Sequence, residues 1–244
     1  MAAQRGDADT AAESIAVAER ASGACDALFH PWRAQARAWT AAAAGDVPGA
    51  VRRVQELIAV LRADRFAGHE LLALYDLVRL GRPELAADRM GALLDTVPGG
   101  RAAAMLARHA RAAAGGSGDG LLAVARELQA HGYLTFAAEA AATAVRLFRA
   151  ARDPQALAAG TLLADVLARC DLLRTPALRT VRPSLTNRER QVAELAADGA
   201  KSREIADRLY LSPRTVENHL QRVYAKLGVN GRQALAPALR SLPQ

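Results

Sequence analysis

Cysteine, lysine and aromatic residues are scarce in this chain, and each scarcity narrows what it can be. Only two of 244 residues are cysteine, Cys25 and Cys170. They are too few and too far apart for a disulfide scaffold and read as buried, reduced thiols of a cytosolic protein. Phe, Trp and Tyr together make 4% of a chain that is 51% hydrophobic, so its core must be built mainly from Leu, Val and Ala. No uninterrupted apolar run of about 18 residues occurs, so no membrane helix is expected. The start, Met1-Ala-Ala-Gln-Arg-Gly-Asp, lacks a basic segment followed by an apolar one, which argues against a secretory leader.

The patterns of catalysis are missing as well. His30, His69, His109, His131 and His219 share no ligand spacing with cysteine or with one another, so no metal site is expected. Neither a Gly-x-Ser-x-Gly elbow nor a pair of carboxylates stands out, and the chain is not expected to be an enzyme. Its nearest approach to a phosphate loop, Gly199-Ala-Lys201-Ser202, has Ala200 where such a loop needs glycine. ATP hydrolysis is therefore unsupported and no cofactor is expected. A phosphorylated receiver domain needs strands alternating with helices in its first ~120 residues. That alternation is absent.

What is present is helix. Up to about Leu173 the chain is dominated by Ala, Leu, Arg and Glu, with few β-branched or aromatic residues. Helices are predicted over 9–22, 27–44, 47–64, 67–80, 83–96, 100–114, 118–131, 133–151 and 154–171. Breaks fall at Gly45-Asp46, Gly81-Arg82-Pro83, Pro98-Gly99-Gly100, Gly115 to Gly118, Gly132 and Asp153-Pro154. The short connections imply helical hairpins. Small residues recur across the turns: Gly45 with Ala50, Gly81 with Ala86, Gly132 with Ala137, Ala151 with Ala156. The 36-residue interval from Gly45 to Gly81 is close to the ~34 of a tetratricopeptide repeat. The later intervals are not, so degenerate tetratricopeptide-like packing and an irregular Ala-rich bundle both remain open. Phe29, Trp32, Trp39 and Tyr75 either line a ligand groove or belong to the core. Residues 174–183, with Pro176, Pro183, Arg174, Arg179 and Arg182, read as a linker, either touching phosphates or serving as a solvated hinge.

The C-terminal segment is the informative one. Residues 1–178 carry 20 basic and 19 acidic side chains, whereas 179–244 carry 12 and 6. Most of the net +7 thus collects at one end, as phosphate attraction requires. Thr186-Asn-Arg-Glu189 is a capping box opening a helix with Val192, Leu195 and Ala196 inward, and Gly199 ends it. A second helix, Ser202 to Leu209, presents Ile205, Ala206 and Leu209, and only Tyr210-Leu211 separates it from the third. Ser212 caps that third helix, Pro213 begins it and Gly228 follows its end. At ~100° per residue Val216, Leu220, Val223 and Leu227 form one stripe to be buried. Arg214, Asn218, Gln221 and Ala225 lie opposite, flanked by Thr215, Arg222 and Lys226 on one side and by Glu217 and Tyr224 on the other. Asn and Gln can pair with adenine edges and Arg and Lys with phosphates, so this face suits a major groove. Two short helices joined by a tight turn are the helix-turn-helix arrangement.

The blocks Leu185-Thr-Asn-Arg-Glu-Arg-Gln-Val, Ser202-Arg-Glu-Ile-Ala-Asp-Arg-Leu, Leu211-Ser-Pro-Arg-Thr-Val-Glu-Asn-His-Leu and Lys226-Leu-Gly-Val resemble, in this order, the LuxR-type helix-turn-helix domain of bacterial transcription regulators. The resemblance covers about 183–239. It implies a four-helix domain that binds double-stranded DNA as a dimer, the third helix reading bases and the fourth dimerising. Carried over by position, base contact falls on Glu217, Asn218 and Gln221, and phosphate contact on Lys201, Arg214, Thr215, Arg222 and Lys226. Two positions depart from the pattern. Lys201 stands where the family has a capping residue such as Thr, leaving the second helix to be capped by Ser202 or by water. Pro237 falls inside the expected fourth helix, Gly231 to Leu239, where it removes a hydrogen bond.

The domain order resembles the C-terminal half of large MalT-like LuxR-type regulators, without a nucleotide-binding module. The chain is either a short relative or an excerpt of a longer one. The expected architecture is all-α: tetratricopeptide-like hairpins over 1–173, a linker over 174–183 and a LuxR-type domain over 184–244. The expected function is cytoplasmic, and at the nucleoid when bound: sequence-specific transcription regulation, with a ligand or partner on the N-terminal helices controlling the DNA reader. The rival reading is a helical interaction scaffold that binds DNA non-specifically or binds protein.

Overall fold

The structure, a computed structural model, describes residues 2–20, 26–95, 100–170, 173–179, 185, 187–227, 229 and 231–240. Among them there is no strand, and the fold is all-α. A short 3-10 turn, Ala3–Arg5, leads into α1 (Ala8–Arg20), α2 (Asp26–Ala43), α3 (Val47–Ala63) and α4 (Ala67–Arg79). A second 3-10 turn, Pro83–Leu85, precedes α5 (Ala87–Leu94), α6 (Gly100–Ala114), α7 (Gly118–Ala130), α8 (Leu134–Ala150) and α9 (Gln155–Ala168). After α10 (Pro176–Arg179) come α11 (Asn187–Ala197), α12 (Ser202–Leu209), α13 (Pro213–Leu227), a 3-10 turn over Arg232–Ala234 and α14 (Leu235–Arg240). The chain divides into two compact units, Met1–Val181 and Arg182–Gln244. No helix among the described residues is long and apolar enough to cross a membrane.

In the first unit one device ends most helices. Gly81 adopts φ 84°, and the N–H groups of Gly81 and Arg82 return to the carbonyls of Val78 and Leu77 at 3.0 and 2.8 Å. This paired closure occupies carbonyls that the helix end leaves open. The same pair of bonds closes α2 at Gly45, α6 at Gly116 and α7 at Gly132. It also closes α3 at Arg65 (φ 57°) and α8 at Arg152 (φ 55°). There an L side chain tolerates the left-handed region at a cost of about 1–2 kcal/mol. Helix starts are marked by Asp46, whose Oδ1 accepts from Gly49 N–H at 2.8 Å, and by Ser117, whose Oγ accepts from Gly120 N–H at 3.1 Å.

The predicted helix over 83–96 is broken. Pro83 starts a 3-10 turn, and α5 begins only after Ala86, whose φ of −123° is not helical and whose side chain is buried. Consecutive helices from α1 to α9 pack on one another, with further contacts between next-but-one helices α4 and α6, α6 and α8, and α7 and α9. Ala50, Ala86 and Ala137, the small residues beyond the turns, are buried. A Cβ on Gly118 would meet the Phe148 ring at 2.7 Å, so glycine there sets how closely α7 and α8 approach. Of the segment expected to be a linker, residues 174–179 are folded onto this unit: Arg174 N–H donates to the Gln4 carbonyl at 2.7 Å, α10 packs on α8 and Leu178 is buried.

A polar network crosses this Ala- and Leu-rich core. Arg79 donates twice to Glu139, at 2.8 and 3.0 Å, and lies 3.6 Å from Asp76. Trp39 Nε1 and Gln35 Nε2 donate to the two Asp76 oxygens at 3.1 and 3.0 Å. The Arg79 guanidinium stacks over the Trp39 ring at 4.4 Å and the Phe136 ring at 5.0 Å. Burial works against the Arg79 charge, yet Glu139, together with Asp76 and Tyr75, outweighs it and holds the group above its ordinary range. Burial pushes the Asp76 carboxyl up. Nearby, the Tyr75 hydroxyl meets His109 Nδ1 at 2.7 Å, and burial, assisted by Arg79, pushes that imidazole down to about 4.

Trp39 and Tyr75 are therefore core residues, whereas Phe29 and Trp32 are exposed, with Trp32 packed edge-on against His69. Cys170, expected to be buried, is half-buried against the core. Cys25 lies outside the described residues.

Candidate nucleic-acid interface

The second unit is assembled around α13. Val216, Leu220 and Val223 are buried together with Val192, Ala193 and Ala196 of α11, Ile205 and Ala206 of α12, and Leu235 of α14. Of these, Val192, Ala196, Ile205, Ala206, Val216, Leu220 and Val223 are residues at which apolar periodicity predicts an inward face, whereas Ala193 and Leu235 are not among the predicted ones. Leu195 and Leu209 are only half-buried at its rim. The side chain of Leu227, as well as Thr186 of the predicted capping box and Gly228, lies outside the described residues. Glu189, the other half of that box, is buried.

The turn between α12 and α13 is built by Tyr210 and Leu211. Tyr210 takes the left-handed conformation, φ 54° and ψ 48°, and the residue is 96% exposed. Leu211 then donates its N–H back to the Ala206 carbonyl at 2.9 Å and packs against the core. Arg188 Nη2 donates to the Leu209 carbonyl, fastening the end of α12 to α11. Ser212 caps α13 as expected: its Oγ accepts from Thr215 N–H at 3.1 Å, and Pro213 is the first helical residue.

Burying the stripe turns the opposite face outward. Arg214, Glu217, Asn218, Gln221 and Arg222 are exposed, all within three turns of one helix. Thr215 is half-buried, its Oγ1 2.8 Å from Ser212 Oγ. Lys226 belongs to α13, but its side chain lies outside the described residues. Lys201 is exposed at the start of α12, 13 positions before Arg214.

The capping of α12 differs from both alternatives read from the sequence. Glu204 Oε2 accepts from the Lys201 N–H at 3.0 Å. An ammonium has no lone pair to accept from the helix, so the carboxylate supplies the side-chain contact at this terminus. Ser202 does not cap. Its Oγ donates to Glu217 Oε1 at 2.5 Å and accepts from Arg232 Nη2 at 3.0 Å. Arg232 Nη1 also donates to the Ala200 carbonyl at 2.5 Å. Sequence reasoning missed the bridging roles of Ser202, Arg232 and Arg188 because their partners lie 15 to 32 positions away and no periodicity links them.

Pro237 is the third residue of α14. The expected single helix from Gly231 to Leu239 is instead a 3-10 turn followed by α14. Pro237 thus falls in the first α-helical turn, where its missing N–H costs least.

A capped helix with one buried stripe, preceded across a two-residue turn by a second short helix, is a helix-turn-helix module. The profile of bacterial regulatory proteins of the luxR family, GerE, matches residues 183–238, and the chain belongs to that family. The stretch is similar to the spore germination protein GerE of Bacillus subtilis, 47% identical over 60 residues, covering 24% of this chain and 81% of that protein. It is also similar to an HTH-type transcriptional regulator of Mycobacterium tuberculosis, 52% identical over 52 residues, 21% of this chain but only 6% of that much longer relative. The DNA-binding transcriptional activator DevR/DosR of the same organism is 40% identical over 52 residues, 21% of this chain and 24% of that protein. No solved structure matches the chain.

Proposed function

We propose that this chain is a sequence-specific DNA-binding transcription regulator in which α13 enters the major groove. One observation carries the reading: the Ser212-capped helix buries Val216, Leu220 and Val223 and thereby holds Asn218 and Gln221 outward between Arg214 and Arg222. Asn218 and Gln221 are assigned to base edges, with Glu217 beside them. Lys201, Arg214, Thr215, Arg222 and Lys226 are assigned to phosphates. Segregation of the positive charge into 179–244 favours this assignment.

The regulator works in the cytoplasm, at the nucleoid when bound, and as a homodimer on DNA. The first unit acts as the sensor: a ligand or partner on its tetratricopeptide-like helices alters dimerisation or access to α13. The domain order and the exposed Phe29 and Trp32 support that role.

Binding of the full chain to a selected operator and to random duplexes, over a salt series, tests the reading. A regulator keeps an affinity ratio of about 10³ or more at physiological salt. A helical scaffold with non-specific binding shows equal affinity for every sequence and loses nearly all of it as salt rises.

A further inference from the structure

A carboxylate on a surface meant for phosphates is a liability, because the DNA repels it. Glu217 is nevertheless exposed on α13, one position before Asn218. Its surroundings supply a reason. Ser202 Oγ donates to Glu217 Oε1 at 2.5 Å, and Arg232 Nη2 donates to that same hydroxyl at 3.0 Å. A serine hydroxyl has one proton to give and can accept elsewhere. With a guanidinium on its accepting side, the proton must go to Glu217. Arg232 is itself anchored on the Ala200 carbonyl, so the relay runs from a backbone carbonyl at the start of α12, through a cation and a hydroxyl, to the carboxylate on α13. The relay also brings positive charge near Glu217 without placing a cation directly on it, which eases the repulsion from phosphates.

We propose, resting on the reading of α13 as a DNA reader, that Ser202 and Arg232 are positioning residues that orient Glu217 to select cytosine at one base pair of each half-site. Oε1 is occupied by Ser202, and among the described residues no hydrogen bond or ion pair engages Oε2. A carboxylate oxygen only accepts. In the major groove cytosine presents the N4 amino donor alone, whereas guanine presents N7 and O6, thymine O4, and adenine an N7 acceptor beside its N6 donor. A single fixed acceptor is satisfied best by cytosine and repelled most by guanine. The selectivity is thus a property of three residues on three segments, with Glu217 as the contacting group.

The test is selection from a pool of random duplexes by the full chain, followed by affinities for every base at each position of the selected site. Wild type, Ser202→Ala, Ser202→Thr and Glu217→Gln are compared, with thermal melts confirming that each is folded. Wild type is expected to select cytosine at one position per half-site. Ser202→Ala should weaken that preference about tenfold and leave the other positions unchanged, and Ser202→Thr, which keeps the hydroxyl, should restore it. Glu217→Gln keeps an oxygen for Ser202 and turns an amide donor outward, so preference at that position alone should move to guanine or thymine. If a site is selected but Ser202→Ala and Glu217→Gln leave every position as it was, the relay plays no part in selectivity and the proposal falls while the DNA-reading function stands. Failure of wild type to enrich any sequence overturns both.

Discussion

Arg79 and Glu139, 60 positions apart, form a two-bond ion pair inside the first unit, with Arg79 Nε and Nη2 at 2.8 and 3.0 Å from the two carboxylate oxygens. The pair ties α4 to α8 where both side chains are almost wholly removed from water. Removing Glu139 leaves the buried Arg79 charge with Asp76 at 3.6 Å, and losing one partner costs about 3–5 kcal/mol in comparable buried pairs. Glu139→Ala should therefore lower the stability of the full chain by that amount in a urea titration. Arg79→Met with Glu139→Leu should recover much of the loss. Recovery stays incomplete because Asp76 also faces Arg79 at 3.6 Å.

Acid should weaken the same region through His109. In the unfolded chain an imidazole takes its proton near 6.5, whereas burial holds the folded His109 off until about 4. Between those values the unfolded state binds more protons, so stability falls as pH drops from about 6.5 to 4, by on the order of 3 kcal/mol. Asp76, whose carboxyl is pushed up by burial, acts in the opposite sense, gaining stability as the folded form takes its proton. The difference between wild type and His109→Gln isolates the histidine. The variant should show a flatter stability profile across this window, measured by denaturation at a series of pH values.

At the contact of α7 with α8 there is no room for a methyl group. The 2.7 Å approach of a Gly118 Cβ to the buried Phe148 ring predicts that Gly118→Ala destabilises by about 1–3 kcal/mol. Gly118→Ala combined with Phe148→Leu should lose less than the two single changes added together. A thermal melt of the three variants checks the coupling.

Arg152 carries the opposite expectation. It holds φ 55° while closing α8, a conformation costing an L residue about 1–2 kcal/mol. Glycine returns part of that gain through its greater freedom in the unfolded chain. Arg152→Gly should leave the fold unchanged and raise stability by roughly 0.5–1 kcal/mol, seen as a higher midpoint in urea.

On DNA, Asn218 and Arg222 should separate. Asn218→Ala is expected to cost about 1–3 kcal/mol at the selected site and to relax preference at one position. Arg222→Ala should weaken all sequences alike and reduce the salt slope by about one phosphate. Equal losses for both variants on random duplexes would remove Asn218 from base reading.

Much of this architecture was legible because its causes are local. Gly45, Gly81 and Gly132 mark helix ends through their own backbone preference, and Val216, Leu220 and Val223 announce the buried stripe of α13 through 3.6-residue spacing. The closures at Arg65 and Arg152 carry no such mark, since arginine has no preference for the left-handed region. Aromatic residues were ambiguous for a related reason: Trp32 and Trp39 lie seven positions apart on α2, but only packing against α4 decides that Trp39 reaches Asp76 while Trp32 stays exposed. Ser202 looked like a cap by position and proved to be a bridge.

The composition and spacing of residues were enough for an all-α chain and for a capped helix-turn-helix with Asn218 and Gln221 outward. Propensity, capping and periodicity act within a few residues of one another and can be read along the chain. The pairing of Arg79 with Glu139, the depressed His109 and the Arg232–Ser202–Glu217 relay belong to the folded molecule alone. Each depends on which helices meet and how deeply they exclude water, and those distances exist only once the chain has packed.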